Sequence, residues 1–391
     1  MSTNNHLNHS LILTVLLLIA FATKTEQSNQ IPALYVFGDS FVECGNNHYV
    51  PGADLRNFFP YGIDFGTPTG RCTNGKTVAD LLAIYLGLPF APAYLGLSSK
   101  GNRVITTGIN YASGGSGILP DTNNKTSLIM DEQIRGFERT VKEILPKGLG
   151  EEAVEKHVSE SLFLVSSGVN DHFKNRTFRG SRKFASYLIN EFKIRLQILH
   201  SLGARKFFVN NVPPAGCFPS MTLHLKPIGK CSEKMNKRIS FYNKKLLILL
   251  HELQTQLPGF TFVYSDLNKS IMEIRQNPHK YGIVEAIKPC CPRSINGDLA
   301  CRPYSDFCAN RNTYLFFDDH PTERANQIYA IKCFVIDHAI CTPRINILHF
   351  LGNESFPVKK TLERIKPNNT KRPTNKGELH DKFDFFEEIE Q

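Results

Sequence analysis

What most constrains this chain is a repeated alternation of short apolar runs with longer segments of helical period. Runs of strand length occur at Ala33–Phe37, Val104–Tyr111, Ser161–Ser166, Lys206–Asn210 and Phe260–Tyr264. Continuous apolar runs of this length suit strands buried on both faces. Helical patterns lie between them, around Ser127–Leu145, Ser181–Leu202 and Ser232–Gln256. In the second, Phe184, Leu188, Phe192, Leu196 and Leu199 recur every three or four residues and form one apolar stripe, which Gly203 ends as a C-cap glycine. A last helix over Thr322–Ile340 would turn Ala325, Ile328, Ala330, Ile331 and Val335 inward. Strands and helices in this order predict right-handed crossovers and an α/β fold whose mostly parallel sheet of five strands is covered on both faces. Ligands of such sheets bind beyond the C-terminal ends of the strands. Attention therefore falls on Gly38-Asp39-Ser40, Asn110 to Gly117, Gly168 to Asp171 and Asn211 to Gly216.

No Gly/Ser-rich or Pro-rich linker divides the middle of the 391 residues, which predicts one large domain over residues 23–352. Residues 1–22 read as a secretory signal peptide, with an uncleaved signal anchor as the alternative because no Lys or Arg precedes Lys24. The run Leu11–Ala22 is too short to span a bilayer, and Ala20 and Ala22 supply the small residues before a cut. Residues 353–391 lack periodicity and pass from a basic stretch to an acidic-aromatic end, the pattern of a flexible charged tail. No later stretch is apolar and long enough to cross a membrane.

A secreted chain can keep disulfides, and the ten cysteines suit an oxidising compartment. Cys290 and Cys291 are adjacent and should pair with different partners; spacing does not give the connectivity. Zinc is disfavoured, since neither paired C-x-x-C nor an interleaved His-x-x-x-His is present. Five sequons, at Asn124, Asn175, Asn268, Asn353 and Asn368, are candidate glycosylation sites. The formal net charge of +10 is spread along the chain, with no basic helix interleaved with aromatics, so nucleic acid is not an expected partner. A basic secreted protein would more plausibly meet acidic polysaccharide or an anionic lipid surface, or simply carry a basic solvated face.

Ser40 follows a strand-Gly-Asp turn, where its hydroxyl would be exposed near helical N–H groups. Asp39 and Ser40 could equally serve only to cap and turn the chain. His320, in Phe316-Phe317-Asp318-Asp319-His320-Pro321-Thr322-Glu323, is the candidate base, just ahead of the last helix. A nearby aspartate could orient its ring. Backbone N–H groups of the glycine-rich Asn110–Gly117 stretch and the side-chain amide of Asn170 are candidate donors to an oxyanion. The glycines fit neither phosphate-binding pattern, G-x-x-x-x-G-K-[ST] or G-x-G-x-x-G. The nucleophile-elbow G-x-S-x-G is absent as well, since Gly114-Gly115-Ser116-Gly117-Ile118 fails at its last position.

Ser40 in GDSF, Asn110–Gly117, Asn170 in GVND and His320 in HPTE follow the order of the four blocks of the GDSL-type, or SGNH, esterases and lipases. The chain resembles that family, and its plant secreted branch in particular, from about Pro32 to Cys341. Gly45-Asn46-Asn47, Cys290-Cys291, Cys301-Arg302-Pro303, Cys308-Ala309-Asn310-Arg311 and Tyr314–Phe317 add to the likeness. The resemblance implies a flavodoxin-like three-layer α/β/α fold and a serine esterase acting on carboxylic esters, of lipid or acylated cell-wall polymer, with no cofactor or metal. By the same resemblance Ser40 is the nucleophile, His320 the base, and Gly115 and Asn170 oxyanion donors with the Ser40 N–H; Gly117 is an alternative to Gly115.

One departure stands out. The family carries Asp-x-x-His, whereas here Asp318 lies two residues before His320 and Phe317 occupies the third position back. Asp318 is expected to serve as the acid, Asp319 facing solvent or the last helix; Asp319, or no carboxylate, is the alternative. Two rivals to a hydrolase follow: a catalytically weak binding protein on the same fold, and an acyltransferase using the same serine.

Overall fold

The computed structural model describes residues 31–97, 105–174, 181–291, 294–295, 298–336 and 340–342. Four parallel strands form the centre: β1 (Leu34–Gly38), β2 (Leu162–Ser166), β3 (Lys206–Asn210) and β4 (Thr261–Ser265). They lie side by side in that order, in a register that sets Gly38 opposite Ser166. All five residues of β1 and of β2 are buried, as strands sandwiched between helix layers must be.

The main helices are α1 (Val78–Leu86), α2 (Met130–Arg139), α3 (Glu151–Glu160), α4 (Val169–Lys174), α5 (Ser181–Ser201), α6 (Glu233–Gln256), α7 (Leu267–Gln276) and α8 (Glu323–Ile331). On one face of the sheet, alternate residues Tyr35 and Phe37 pack edge-on against Phe137 of α2, and Phe163 and Phe207 extend the aromatic layer. That face is covered by α2, α5 and α6. Opposite it, Phe208 meets Phe334 just beyond α8, which packs with α1 and α7. The result is the three-layer α/β/α arrangement.

One strand expectation needs correction. Residues 105–111 run beside the free edge of β1 and exchange parallel bonds with it, Val36 N to Ile109 O at 3.0 Å and Tyr111 N to Val36 O at 2.8 Å. They form only isolated bridges, Asn110 to Val36 on one side and to Ala93 on the other, because Gly108, at φ of 114°, interrupts the extended chain against Leu34 O. Val104 lies outside the described residues. The fifth strand is instead β5 (Cys341–Thr342), antiparallel to β4 at the far edge.

The first three helical expectations are close to the observed bounds, with Ser232 capping α6 rather than belonging to it; the last is too long, since Thr322 caps α8 and Ile340 is a non-helical residue just ahead of β5. The segments after α2 and α8 widen into π-helical turns at Thr140–Ile144 and Lys332–Ile336. The inward placement of Val335, the leader, the tail and the sequons at Asn175, Asn353 and Asn368 lie outside the described side chains. Of the other sequons, Asn124 is exposed. Asn268 is half-buried, and its amide already donates to Val212 O at 3.0 Å. No described helix is long and apolar enough to cross a membrane.

Eight cysteines form four disulfides: Cys217–Cys231, Cys290–Cys308, Cys291–Cys301 and Cys333–Cys341. Cys44 and Cys72 are free thiols. The adjacent pair does take separate partners.

Candidate active site

The C-terminal ends of β1 and β2 lie next to each other, and the site is assembled there. β1 ends on Gly38, whose backbone passes so close to β2 that an added Cβ would fall 2.0 Å from Ser166 O. Only glycine fits, with φ at 141°. The chain then turns sharply: the Asp39 carbonyl accepts from Val42 and Glu43 N–H at 3.1 and 3.0 Å. Ser40 sits on this turn, partly exposed above the sheet.

His320 reaches Ser40 from a two-residue hairpin. Phe317 N donates to His320 O at 2.8 Å, closing the loop over Asp318 and Asp319. The His320 Nε2 lies 2.7 Å from Ser40 Oγ, and its Nδ1 lies 2.8 Å from Asp318 Oδ1. An ionised carboxylate only accepts, so Nδ1 carries the proton and Nε2 presents a lone pair to the Ser40 hydroxyl. Asp318 is fully buried, while the His320 side chain keeps 16% of its exposure. The Phe41 ring covers one side of the imidazole at 5.3 Å between centroids. Burial disfavours the imidazolium, but the Asp318 charge and hydrogen bond outweigh it and raise the His320 pKa. Burial likewise opposes an ionised Asp318, and His320, Arg56 and Tyr61 more than offset it, leaving its pKa lowered.

Asp319, expected at solvent or the helix start, turns the other way. It is half-buried and accepts from Ser220 N–H at 2.8 Å, with burial pushing its pKa up to about 6. Of the two aspartates, Asp318 alone contacts the His320 ring.

The glycine-rich loop is held at both ends by carboxylates. Glu43 Oε2 accepts from Gly114 N–H at 2.5 Å, and its Oε1 from Asn47 N–H at 2.7 Å. Asp171 accepts from Ile118 and Leu119 N–H at 2.8 and 2.9 Å and from the Thr122 hydroxyl at 2.8 Å. Burial raises Glu43 to about 8 and Asp171 to about 6. Between these anchors Gly115 adopts φ of 85°, the left-handed region. Among the described residues, neither the Gly115 N–H nor the Ser40 N–H has a hydrogen-bond acceptor. Asn170, in the first turn of α4, donates one Nδ2 hydrogen to Ser116 O at 2.8 Å, which fixes the orientation of the amide. Gly117 lies against the Asp171 carboxylate, a poor neighbour for a second negative charge.

Several supporting residues had no role in the sequence reading. Gln133, fully buried on α2, accepts from Gly38 N–H at 2.8 Å, and the two hydrogens of its Nε2 are shared among Leu128 O at 2.8 Å, Gly38 O at 2.9 Å and Ser116 Oγ at 3.1 Å. It ties the end of β1 to the glycine loop. A polar residue on the apolar stripe of Met130, Ile134 and Phe137 was the available signal. Asn46 donates to Asn110 O and Ala112 O, both at 2.8 Å, and Asn47 holds Ser113 and Gly114, which gives the Gly45-Asn46-Asn47 motif its purpose. Two surface clefts of about 400 and 450 Å³ occur elsewhere, and neither has Ser40 or His320 in its lining. Among the described residues no group of three or more His, Cys, Asp or Glu is placed to hold a metal.

The fold and this Ser-His-Asp arrangement fit a hydrolase with a serine nucleophile. Residues 34–332 match the model of the GDSL-like Lipase/Acylhydrolase family, and the chain belongs to that family. It is 39% identical over 330 residues to GDSL esterase/lipase At1g71691 of Arabidopsis thaliana, covering 81% of this chain and 85% of the relative. With GDSL esterase/lipase 7 of the same plant it shares 38% over 320 residues, covering 78% and 87%. GDSL esterase/lipase At4g16230, again from that plant, is 37% identical over 350 residues, covering 85% and 94%.

Proposed function

We propose that this ester hydrolase is secreted and works through an acyl-enzyme on Ser40. The observation that carries the reading is the continuous contact from Ser40 Oγ to His320 Nε2 at 2.7 Å and from His320 Nδ1 to Asp318 at 2.8 Å. Ser40 Oγ attacks the ester carbonyl while Nε2 takes its proton, and Asp318 stabilises the resulting imidazolium. The carbonyl oxygen becomes an oxyanion and accepts from the Ser40 and Gly115 N–H groups and the remaining Nδ2 hydrogen of Asn170. Collapse of the tetrahedral adduct expels the alcohol, which takes the proton from His320. Water, deprotonated by Nε2, then releases the acid and restores Ser40.

The shortened Asp-x-His spacing was the only feature favouring a weak binding protein. The Asp318 hairpin accommodates it, so a working hydrolase is preferred. Secretion is supported by the Leu11–Ala22 leader and by four disulfides. Exposed Asn124 is then the better glycan acceptor than Asn268, whose amide is engaged. The test is hydrolysis of p-nitrophenyl esters of increasing chain length beside a Ser40→Ala control. Activity should vanish in the control; full activity there would remove Ser40 from the chemistry.

A further inference from the structure

We propose that Tyr61 is a positioning residue for this reaction: it fixes the Asp318 carboxylate, and the adjacent-cysteine knot fixes Tyr61. The proposal rests on the Ser40-His320-Asp318 reading above.

Tyr61 is fully buried, and its hydroxyl donates to Asp318 Oδ2 at 2.7 Å. The other oxygen, Oδ1, is taken by His320. Both oxygens of the acid are therefore engaged, Oδ2 by Tyr61 and Oδ1 by His320. Tyr61 in turn accepts from Cys301 N–H at 3.0 Å, so its hydroxyl hydrogen is directed at Asp318.

The seat of Tyr61 is separate from the main core. It forms a small cluster with Cys290, Cys291, Cys301 and Phe317, closed by the Cys291–Cys301 and Cys290–Cys308 disulfides. The N–H groups of Cys290 and Cys291 donate to Phe316 O and Phe317 O at 2.9 and 2.7 Å. The knot thus grips the two residues leading into Asp318 from the backbone, while Tyr61 grips the carboxylate itself. The Arg56 guanidinium packs over the Tyr61 ring at 5.1 Å and adds a buried positive charge near the acid.

The discriminating experiment is Tyr61→Phe, which removes the hydroxyl and keeps the ring. Loss of one hydrogen bond to a charged group should lower kcat roughly 10- to 100-fold with KM unchanged. The pH profile separates positioning from mere packing. Besides Tyr61, the groups facing His320 are Asp318, Asp319, Asp39 and Arg56, all retained in the variant. The Tyr61 hydroxyl points its positive end at Asp318 and so opposes charge on the imidazole. Its loss should move the acid limb of kcat/KM to higher pH, in a folded protein whose Ser40 still titrates fully with a fluorophosphonate.

Wild-type kcat, or a reduced kcat with an unmoved acid limb, would overturn the positioning role; so would a variant that does not fold, since the role would then be structural. Ser40→Ala is measured alongside. If it stays active, the triad reading fails and takes the proposal with it. An inactive Ser40→Ala beside a wild-type Tyr61→Phe rejects Tyr61 alone.

Discussion

One carboxylate oxygen of Asp318 accepts from both nitrogen donors of His320, the backbone N–H at 2.7 Å and the ring Nδ1 at 2.8 Å. The backbone bond makes an Asx turn, in which a side chain captures the N–H two residues on. That turn brings the ring onto the same oxygen and explains how a single spacer residue suffices. Asp318→Asn should therefore lower kcat by up to about 10⁴, as for a lost orienting carboxylate. Asp319→Asn should leave kcat nearly unchanged, since its amide oxygen can still accept from Ser220 N–H. Steady-state kinetics on the two variants decide the matter, and the opposite ranking would transfer the role to Asp319.

The sequence revealed the strands of the sheet centre because each is a continuous apolar run ending in a turn. It did not reveal β5, which is two residues long and has no period to detect. Residues 105–111 misled for the opposite reason: they do run beside β1, but Gly108, in a positive-φ conformation, breaks the extended chain and leaves isolated bridges. Ser40 and His320 were legible as chemistry at a strand end and ahead of a helix. Gln133, Glu43 and Tyr61 were not, since each acts through a partner distant in sequence, such as Gly38, Gly114 or Asp318.

Asn170→Ala removes one candidate donor to the oxyanion and leaves those of Ser40 and Gly115. The expected outcome is a fall in kcat of roughly 10²–10³. KM should change little, because the charge that Asn170 meets develops only in the transition state. An unchanged kcat would take Asn170 out of the site.

Gln133→Ala should cost stability as well as rate. It strands the buried Gly38 N–H, which has no other acceptor among the described residues, and frees Ser116 from α2. An orphaned buried donor costs about 1–3 kcal/mol. For a domain of this size, at about 1.5–2 °C per kcal/mol, that corresponds to a drop in Tm of roughly 2–5 °C. Calorimetry beside kinetics should register both losses, and an unaltered Tm would contradict the bracing role.

Thiol titration of the unfolded, unreduced protein should find two free thiols per chain, Cys44 and Cys72, and ten after reduction. Reduction of the native disulfides should destabilise the fold, by about 2–5 kcal/mol for each one lost in a small secreted domain and less where the core is large. Ten thiols before reduction would undo the pairing and weaken the inference of secretion.

The pH profile follows from the raised pKa of His320. As general base, His320 must be neutral, so kcat/KM should fall as pH drops through its pKa. Burial alone would place that limb below the ordinary imidazole value of about 6.5. Asp318 reverses the direction, since its charge and hydrogen bond favour the imidazolium more than burial disfavours it. The acid limb should therefore lie above about 6.5. The sign also sets how the variants behave. Asp318→Asn removes the stabilising charge, so the limb should move to lower pH even as kcat collapses. Asp319 contributes a smaller effect in the same direction, so Asp319→Asn should shift the limb only slightly downward. Measuring kcat/KM from pH 4 to 9 on the wild type and both variants tests this ordering. A wild-type limb below the Asp318→Asn limb would show that Asp318 does not hold a charge against His320.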